Sequence, residues 1–293
     1  MMDFVKNKCK FVLIPIVLII AGLAMFFVRG GFNFDVEFSG GIRMQVKIGQ
    51  EFKNDDIKNL IKEKNNVDVV VQKAGNGDAI IKTPPVEETV KAEILNTLTE
   101  KYGLGEDALV DAQSASASFG KETQAKALMY TLIALLCILI YIAFRFEWRS
   151  AVMAVIALAV NVLVMMAVYA IGYIPLNTTF IAAMLTVVGY SINNTIVIFD
   201  RVRENMKSAG RMSVSDTVNK SIKESMGRTI NSTITTLITI VLLYILGVEA
   251  IKEFALPLII GIIAGAYSSI TIAAPFWGVW KEASKKAKAV KMK

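Results

Sequence analysis

The sequence predicts an α-helical integral membrane protein with six transmembrane helices and one extracytoplasmic α+β domain of the ferredoxin-like type. Three observations predict it. Of 293 residues, 54% are hydrophobic and only 19% charged, with a mean hydropathy of +0.52, which lies outside the range of ordinary soluble domains. Six apolar stretches approach the ~20 residues that a helix needs to cross a hydrocarbon core. Between the first and second stretches the pattern changes, over about ninety residues, to the alternating strand and helix signals of a small folded domain.

The first span is Phe11–Val28, preceded by Lys6, Lys8 and Lys10. A cleaved signal peptide has the same plan. This apolar run is long for that role, however, and Arg29-Gly30-Gly31 makes a poor small-residue cleavage site, so the span reads as uncleaved. Residues 31–122 follow. "NFDVEFSGGIRMQVKI" reads as two strands around the glycine turn Ser39-Gly40-Gly41. "NDDIKNLIKEKN" is a short amphipathic helix capped by Asn54 or Asp55. "VDVVVQK" and "AIIKT" are strands around Gly75-Asn76-Gly77. "PPVEETVKAEILNTLTEKYG" is a helix with prolines in its first turn and Gly103 as its stop. "ALVDAQSASASF" closes the domain as a strand, giving β-β-α-β-β-α-β with the helices on one side.

Five further spans are expected at Ala125–Phe144, Ala151–Ile171, Thr178–Phe199, Ile230–Leu246 and Phe254–Phe276. Arg145 and Arg149 lie between spans two and three. Arg201, Arg203, Lys207, Arg211, Lys220, Lys223 and Arg228 fall in the loop after span four, and Lys281, Lys285, Lys286, Lys288, Lys291 and Lys293 in the tail. The opposite flanks are neutral or acidic, so the alternation sets both termini in the cytoplasm and residues 31–122 outside. The expected division is 1–30, 31–122, 123–280 and a basic tail 281–293. The net charge of +7 then reflects topology and contact with anionic lipid rather than nucleic acid.

Little points to an enzyme. The chain has no histidine, which excludes imidazole bases and ligands. Cys9 and Cys137 suit neither a disulfide nor a metal site, and no cofactor is expected. Asp55-Asp56 and Glu87-Glu88 sit in helix first turns, where acids complement the dipole. "GNGDAI" lacks the strand–loop–helix setting of a dinucleotide site.

The polar residues inside the spans are the candidate site. At 3.6 residues per turn Gly189, Asn193 and Asp200 share one face of span four, with Tyr190, Asn194 and Arg201 beside it. Arg228, Asn231, Ser232, Thr235 and Thr239 form a second stripe entering span five, and Asn161 lies midway along span three. Such groups face other helices or a cavity. The ordinary reading is interhelical hydrogen bonding, and it is favoured for Asn161 alone; for the two stripes together a functional or moving interface is favoured over it, because Arg228 near the membrane boundary needs counter-groups. Gly261 and Gly265 fit close packing, and Phe276, Trp277 and Trp280 beside Lys281 read as an interfacial anchor.

Four of these stretches, in order, resemble the SecF family of the bacterial Sec translocon's accessory complex, which is similar in architecture to resistance-nodulation-division (RND) exporters. They are "GFNFDVEFSGG" with Gly31, Gly40 and Gly41, "FRFEWR" at 144–149, "GYSINNTIVIFDRVREN" from Gly189, and "RTINSTITTL" from Arg228. The resemblance covers nearly the whole chain. It implies a SecD partner, the SecYEG channel and a YidC-type insertase as neighbours, an unfolded exported polypeptide as substrate, and use of the proton or ion gradient. The chain departs from the family's pattern in two ways. Asp35 and Glu37 stand for a usual Gly and Asp in the entry motif. Asn194 stands where the family has Asp, and Val160-Asn161 where it often has His-Asp. An amide hydrogen-bonds but does not titrate near neutral pH, so the expectation is a polar helix interface here with the proton site in SecD. Asp200 is expected to pair with Arg201, Arg203 or Arg228, or to be a simple boundary charge. An independent exporter of small molecules or lipids and a non-transporting scaffold remain the competing readings.

Overall fold

The computed structural model describes residues 3–74, 77–145, 147–210 and 212–291. The turn residues Gly75 and Asn76, Phe146 of the "FRFEWR" stretch, and the flanking Arg211 and Lys293 lie outside them. The chain begins with helix α1 (Lys8–Val28), a single helical turn α2 (Val36–Ser39) and strand β1 (Gly41–Lys47). Helix α3 (Asn54–Asn65), strands β2 (Val70–Lys73) and β3 (Asp78–Thr83), helix α4 (Glu88–Tyr102) and strand β4 (Leu109–Ala115) follow. The remainder is helical: α5 (Ala117–Arg145), α6 (Trp148–Gly172), α7 (Thr178–Lys207), α8 (Val214–Leu246), α9 (Glu249–Ser268), a π-helical turn (Ser269–Ala273) and α10 (Ala274–Lys291). Two compact units result, one of residues 33–129 and 175–178, the other of residues 1–32, 130–174 and 179–293.

The smaller unit carries one antiparallel sheet in the order β2-β3-β1-β4. With α3 and α4 as its crossovers it is the βαββαβ arrangement of ferredoxin-like folds. Ile57 and Ile61 of α3 and Ile94 and Leu98 of α4 pack with Met44, Val46 and Ile81 of the sheet, all essentially inaccessible. The strand expected across "NFDVEF" is not there. Asp35 accepts from the Val36 amide at 2.8 Å and pairs with Lys82 Nζ at 3.0 Å. That capped carboxylate starts a helical turn instead of a strand, and only Phe34 keeps an extended bridge, to Leu176. The caps also differ from expectation: Lys53 and Glu87 precede α3 and α4 without side-chain cap bonds, so Pro84 and Pro85 lie ahead of the first turn. Gly103 ends α4 in the left-handed conformation as read from the sequence.

Among the described residues six helices are long and apolar enough to cross a membrane, the sixth running from α9 through the π turn into α10. They overrun the apolar windows. Ser213 accepts from the Asp216 amide at 3.0 Å, and Val214, Val218 and Ile222 are buried. This capped amphipathic start carries α8 well ahead of its apolar part. Lys220, Lys223 and Arg228 therefore ride on a helix rather than in a loop, and Arg201, Arg203 and Lys207 belong to α7.

Small residues set the packing of this bundle. A Cβ on Gly22 would meet Ala167 at 2.5 Å, so α1 lies against α6 almost backbone to backbone. Pro15 in α1 leaves the Phe11 carbonyl without its helical partner; the Tyr267 hydroxyl donates to that oxygen at 2.7 Å. Ala151, Ala154 and Ala157 of α6 line a core with Ile198, Phe199 and Val202 of α7, Ile222 of α8 and Trp277 of α10. Trp277 is thus a buried core residue, 5% exposed, and not the interfacial anchor expected of it. Trp280 stands edge-on to Trp148 at 5.0 Å.

Candidate functional site: a polar seam in the membrane helices

Periodicity sorts the polar residues of the spans into a buried cluster and an exposed stripe. The cluster is centred on Asn161 of α6, 1% exposed. Its side chain and Ser191 Oγ of α7 hydrogen-bond at 2.7 Å. With the amide oxygen toward Ser191, the amide nitrogen donates to Ser268 Oγ at 2.6 Å and to the Ala264 carbonyl at 3.1 Å. Thr195 and Ser269 hydroxyls meet at 2.8 Å, and Ser269 also donates to the Gly265 carbonyl at 2.8 Å.

This approach of α9 to α6 and α7 depends on glycine. A Cβ on Gly265 would stand 2.8 Å from Ser191 Oγ, and one on Gly261 within 2.6 Å of two Val187 methyls. Gly265, read from the sequence as packing alone, thus sits against the polar cluster. The cluster lies where α9 gives way to the π turn. A π turn widens the helix and disturbs the i→i−4 ladder. Hydroxyls supply bonds there: Ser269 to the Gly265 carbonyl, and Thr271 to the Tyr267 carbonyl at 2.8 Å. Ser191, Thr195, Ser268 and Ser269 were not singled out from the sequence. Their signal was present as hydroxyls inside apolar runs, but their convergence was not.

Asn193 and Asn194, adjacent in sequence, part company. Asn193 is exposed together with Gly189 and Asp200, whereas Asn194 is 2% exposed. The Asn194 Nδ2 group and the Thr229 and Thr233 hydroxyls of α8 are buried without hydrogen-bond partners among the described residues. Tyr190 joins α7 to α8, donating to the Ser232 carbonyl at 3.1 Å with Thr236 Oγ1 at 3.2 Å. Beyond it Arg228, Asn231 and Thr235 of α8 are exposed, and the Thr235 hydroxyl turns back to the Asn231 carbonyl at 3.1 Å.

The ion pairs differ from those expected. Arg201 binds Glu204 and Glu224, both at 2.6 Å, and Asn205 donates to Glu224 at 2.7 Å. With Arg201 so engaged, Asp200 and Arg228 form no ion pair among the described residues, and exposed Asp200 fits the boundary charge that was the other expectation for it. In the smaller unit, Glu37 accepts from the amide and hydroxyl of Thr178, the first residue of α7, at 2.7 and 2.5 Å. A carboxylate there complements the helix N-terminus. Of the motif glycines, Gly31, Gly40 and Gly41 have positive φ. Gly41 is the constrained one, because a Cβ there would lie 2.1 Å from the Thr83 carbonyl oxygen.

Amides and hydroxyls at this seam can hold and exchange hydrogen bonds between helices, but they carry no titrating acid or base. Six spans, a ferredoxin-like domain after the first, and a polar seam along the third to sixth define a multi-pass membrane protein with one inserted domain. Residues 94–283 match the family described as protein export membrane protein SecD/SecF, C-terminal. A protein translocase subunit SecF from Alicyclobacillus acidocaldarius is 34% identical over 97% of this chain and 94% of its own length. One from Petrotoga mobilis is 33% identical over 98% and 99%. The chain belongs to the SecF family, subunits of the accessory complex of the Sec protein translocase. The protein translocase subunit SecDF of Bacillus subtilis is 33% identical over 95% of this chain, which spans 38% of that protein. The crystal structure of SecDF from Thermus thermophilus superposes with a TM-score of 0.87 at 28% identity, over 96% of this chain and 38% of that one.

Proposed function

We propose that this multi-pass subunit works as one half of a pair with SecD, presenting the polar face of α7 and α8 to it, and that the pair draws on the proton or ion gradient to help move unfolded polypeptide outward. The observation that carries this reading is the exposure of the Asn193 and Asn231 amides along helices built to cross a membrane. Lipid does not satisfy such groups, whereas a second helical half would. SecDF relatives, longer than this chain and matched over only part of their length, support SecD as the partner.

In this reading the titrating group lies in SecD. Asn194 and Asn161 supply hydrogen bonds that rearrange without changing charge, and Arg228 faces an acid of the partner. The channel SecYEG, with or without a YidC-type insertase, is the exit that the pair serves. In this reading the membrane is the bacterial cell membrane, with both termini in the cytoplasm, an orientation that the Lys and Arg distribution supports.

Purification of the tagged chain from its native membrane in mild detergent, with partners identified by mass spectrometry, tests the pairing. Recovery of a SecD-like protein bearing an intramembrane acid is the expected result; a homo-oligomer alone would favour an independent exporter. Asn194→Asp tests the location of the acid, since a strong gain in gradient-dependent export would end the idea of a complete partner-borne site.

A further inference from the structure

A second site lies in the same bundle, away from the seam. Glu147 and Ser150 at the start of α6, Phe199, Val202, Arg203 and Met206 of α7, and Trp277 and Lys281 of α10 surround a cavity of about 300 Å³. Phe199, Val202, Met206 and Trp277 give it an apolar side, and its charged groups are unequal. Lys281 Nζ binds Glu147 at 2.5 Å while standing 5.5 Å over the Trp277 ring, and Arg149 approaches Glu147 at 3.7 Å. The single carboxylate is therefore compensated twice over. Arg203 has no ion pair among the described residues.

A further feature calls for an anion. Trp277 is 5% exposed, yet its indole N–H has no hydrogen-bond partner among the described residues, a costly omission for a buried donor. The surroundings have the composition of a membrane interface. Trp148 and Trp280 meet edge to face, and the Arg149 guanidinium lies 5.5 and 5.8 Å from their ring centroids, the aromatic and basic mixture that sits at headgroup level.

We propose that this cavity binds the phosphodiester of an anionic phospholipid headgroup. The phosphate sits between Arg203 and Lys281 and accepts from the Trp277 indole; Phe199, Val202 and Met206 pack against the glycerol. At this volume the cavity is at the small end of ligand sites, so the acyl chains remain in the bilayer. The site stands independently of the pairing with SecD.

The test is native mass spectrometry of the full chain released from nanodiscs containing phosphatidylglycerol or, as the zwitterionic control, phosphatidylcholine. Wild type retains phosphatidylglycerol preferentially. Arg203→Gln, at an exposed position, lowers its retention about fivefold, the loss expected for one basic contact. Trp277→Phe keeps the ring, removes the donor and lowers retention in the same direction. Lys207→Gln, on the same helix but outside the cavity, leaves retention unchanged. Undiminished retention by Arg203→Gln, or an equal loss in Lys207→Gln, would show diffuse surface attraction and overturn the proposal. Stabilisation against thermal unfolding by inorganic phosphate alone, equal to that by the lipid, would assign the cavity to a free phosphate and overturn the lipid source.

Discussion

Asn161 makes the most of its chemistry by bonding three ways while almost fully buried. Its partners come from α7 and α9, so losing the amide strands the Ser191 hydroxyl as well as removing bonds, while Ser268 keeps the Gly265 carbonyl at 3.2 Å. Asn161→Ala is expected to destabilise the chain by about 1–3 kcal/mol, read as a lower unfolding temperature in one fixed detergent. Asn161→Ser retains part of the network and falls between. Asp3 offers a residue-scale pH effect outside the spans. The Lys6 amide and the Asn219 side chain bind its carboxylate at 2.9 and 2.8 Å and hold it below its ordinary value of 3.8. Asn219 in turn accepts from the Phe4 and Val5 amides at 2.9 and 3.2 Å. A depressed carboxylate stabilises the folded strap above about pH 4 and ceases to do so as the pH falls through its folded value. Hydrogen exchange at Phe4 and Val5, corrected for its intrinsic pH dependence, should therefore lose protection on acidification. In Asp3→Asn that loss should already be present at neutral pH.

The elements depend on a few backbone positions. Gly41 opens β1 at φ 128, facing the Thr83 carbonyl. Gly41→Ala combines an unfavourable backbone conformation with a direct clash and should cost about 2–4 kcal/mol, whereas Gly49→Ala, with open space around it, should cost less. Comparing the two by thermal unfolding separates the clash from the loss of glycine's freedom. The π turn is the other controlling element. It takes up one residue more than an α-helical turn, so deleting Ile270 should restore the i→i−4 ladder while leaving Trp277 in the core it shares with Phe199 and Lys281 beside Glu147. Unchanged tryptophan emission is expected. A red shift with loss of stability would mean that α10 had turned out of its packing register.

At the scale of the whole molecule, the membrane unit has a face that its own residues do not complete. Cysteines introduced at Asn193 and Asn231 should form disulfides or crosslinks with a co-expressed SecD, while a cysteine at buried Asn161 should not. Crosslinking from one copy of this chain to another at Asn193 would replace the pair with a homo-oligomer. Much of the architecture was legible in the sequence because it follows from one-dimensional quantities. Apolar length fixes the number of spans, alternating apolar positions give the helices and strands of the inserted domain, and four ordered motifs carry the family. The misplaced elements failed for local reasons. "DVEF" alternates like a strand, but the Asp35 carboxylate, bonded to Val36 N and Lys82, favours a helical turn. The start of α8 was hidden because its amphipathic first turns are too charged to register as membrane. What the tertiary structure alone decided is which polar groups meet. It separated Asn193 from Asn194, gathered Asn161, Ser191, Ser268 and Ser269 from three helices, gave Arg201 to Glu224 rather than Asp200, and buried Trp277. Hydropathy and period assign a residue to a face of its own helix, but the neighbour across that face is set by how closely glycine and alanine let the backbones approach.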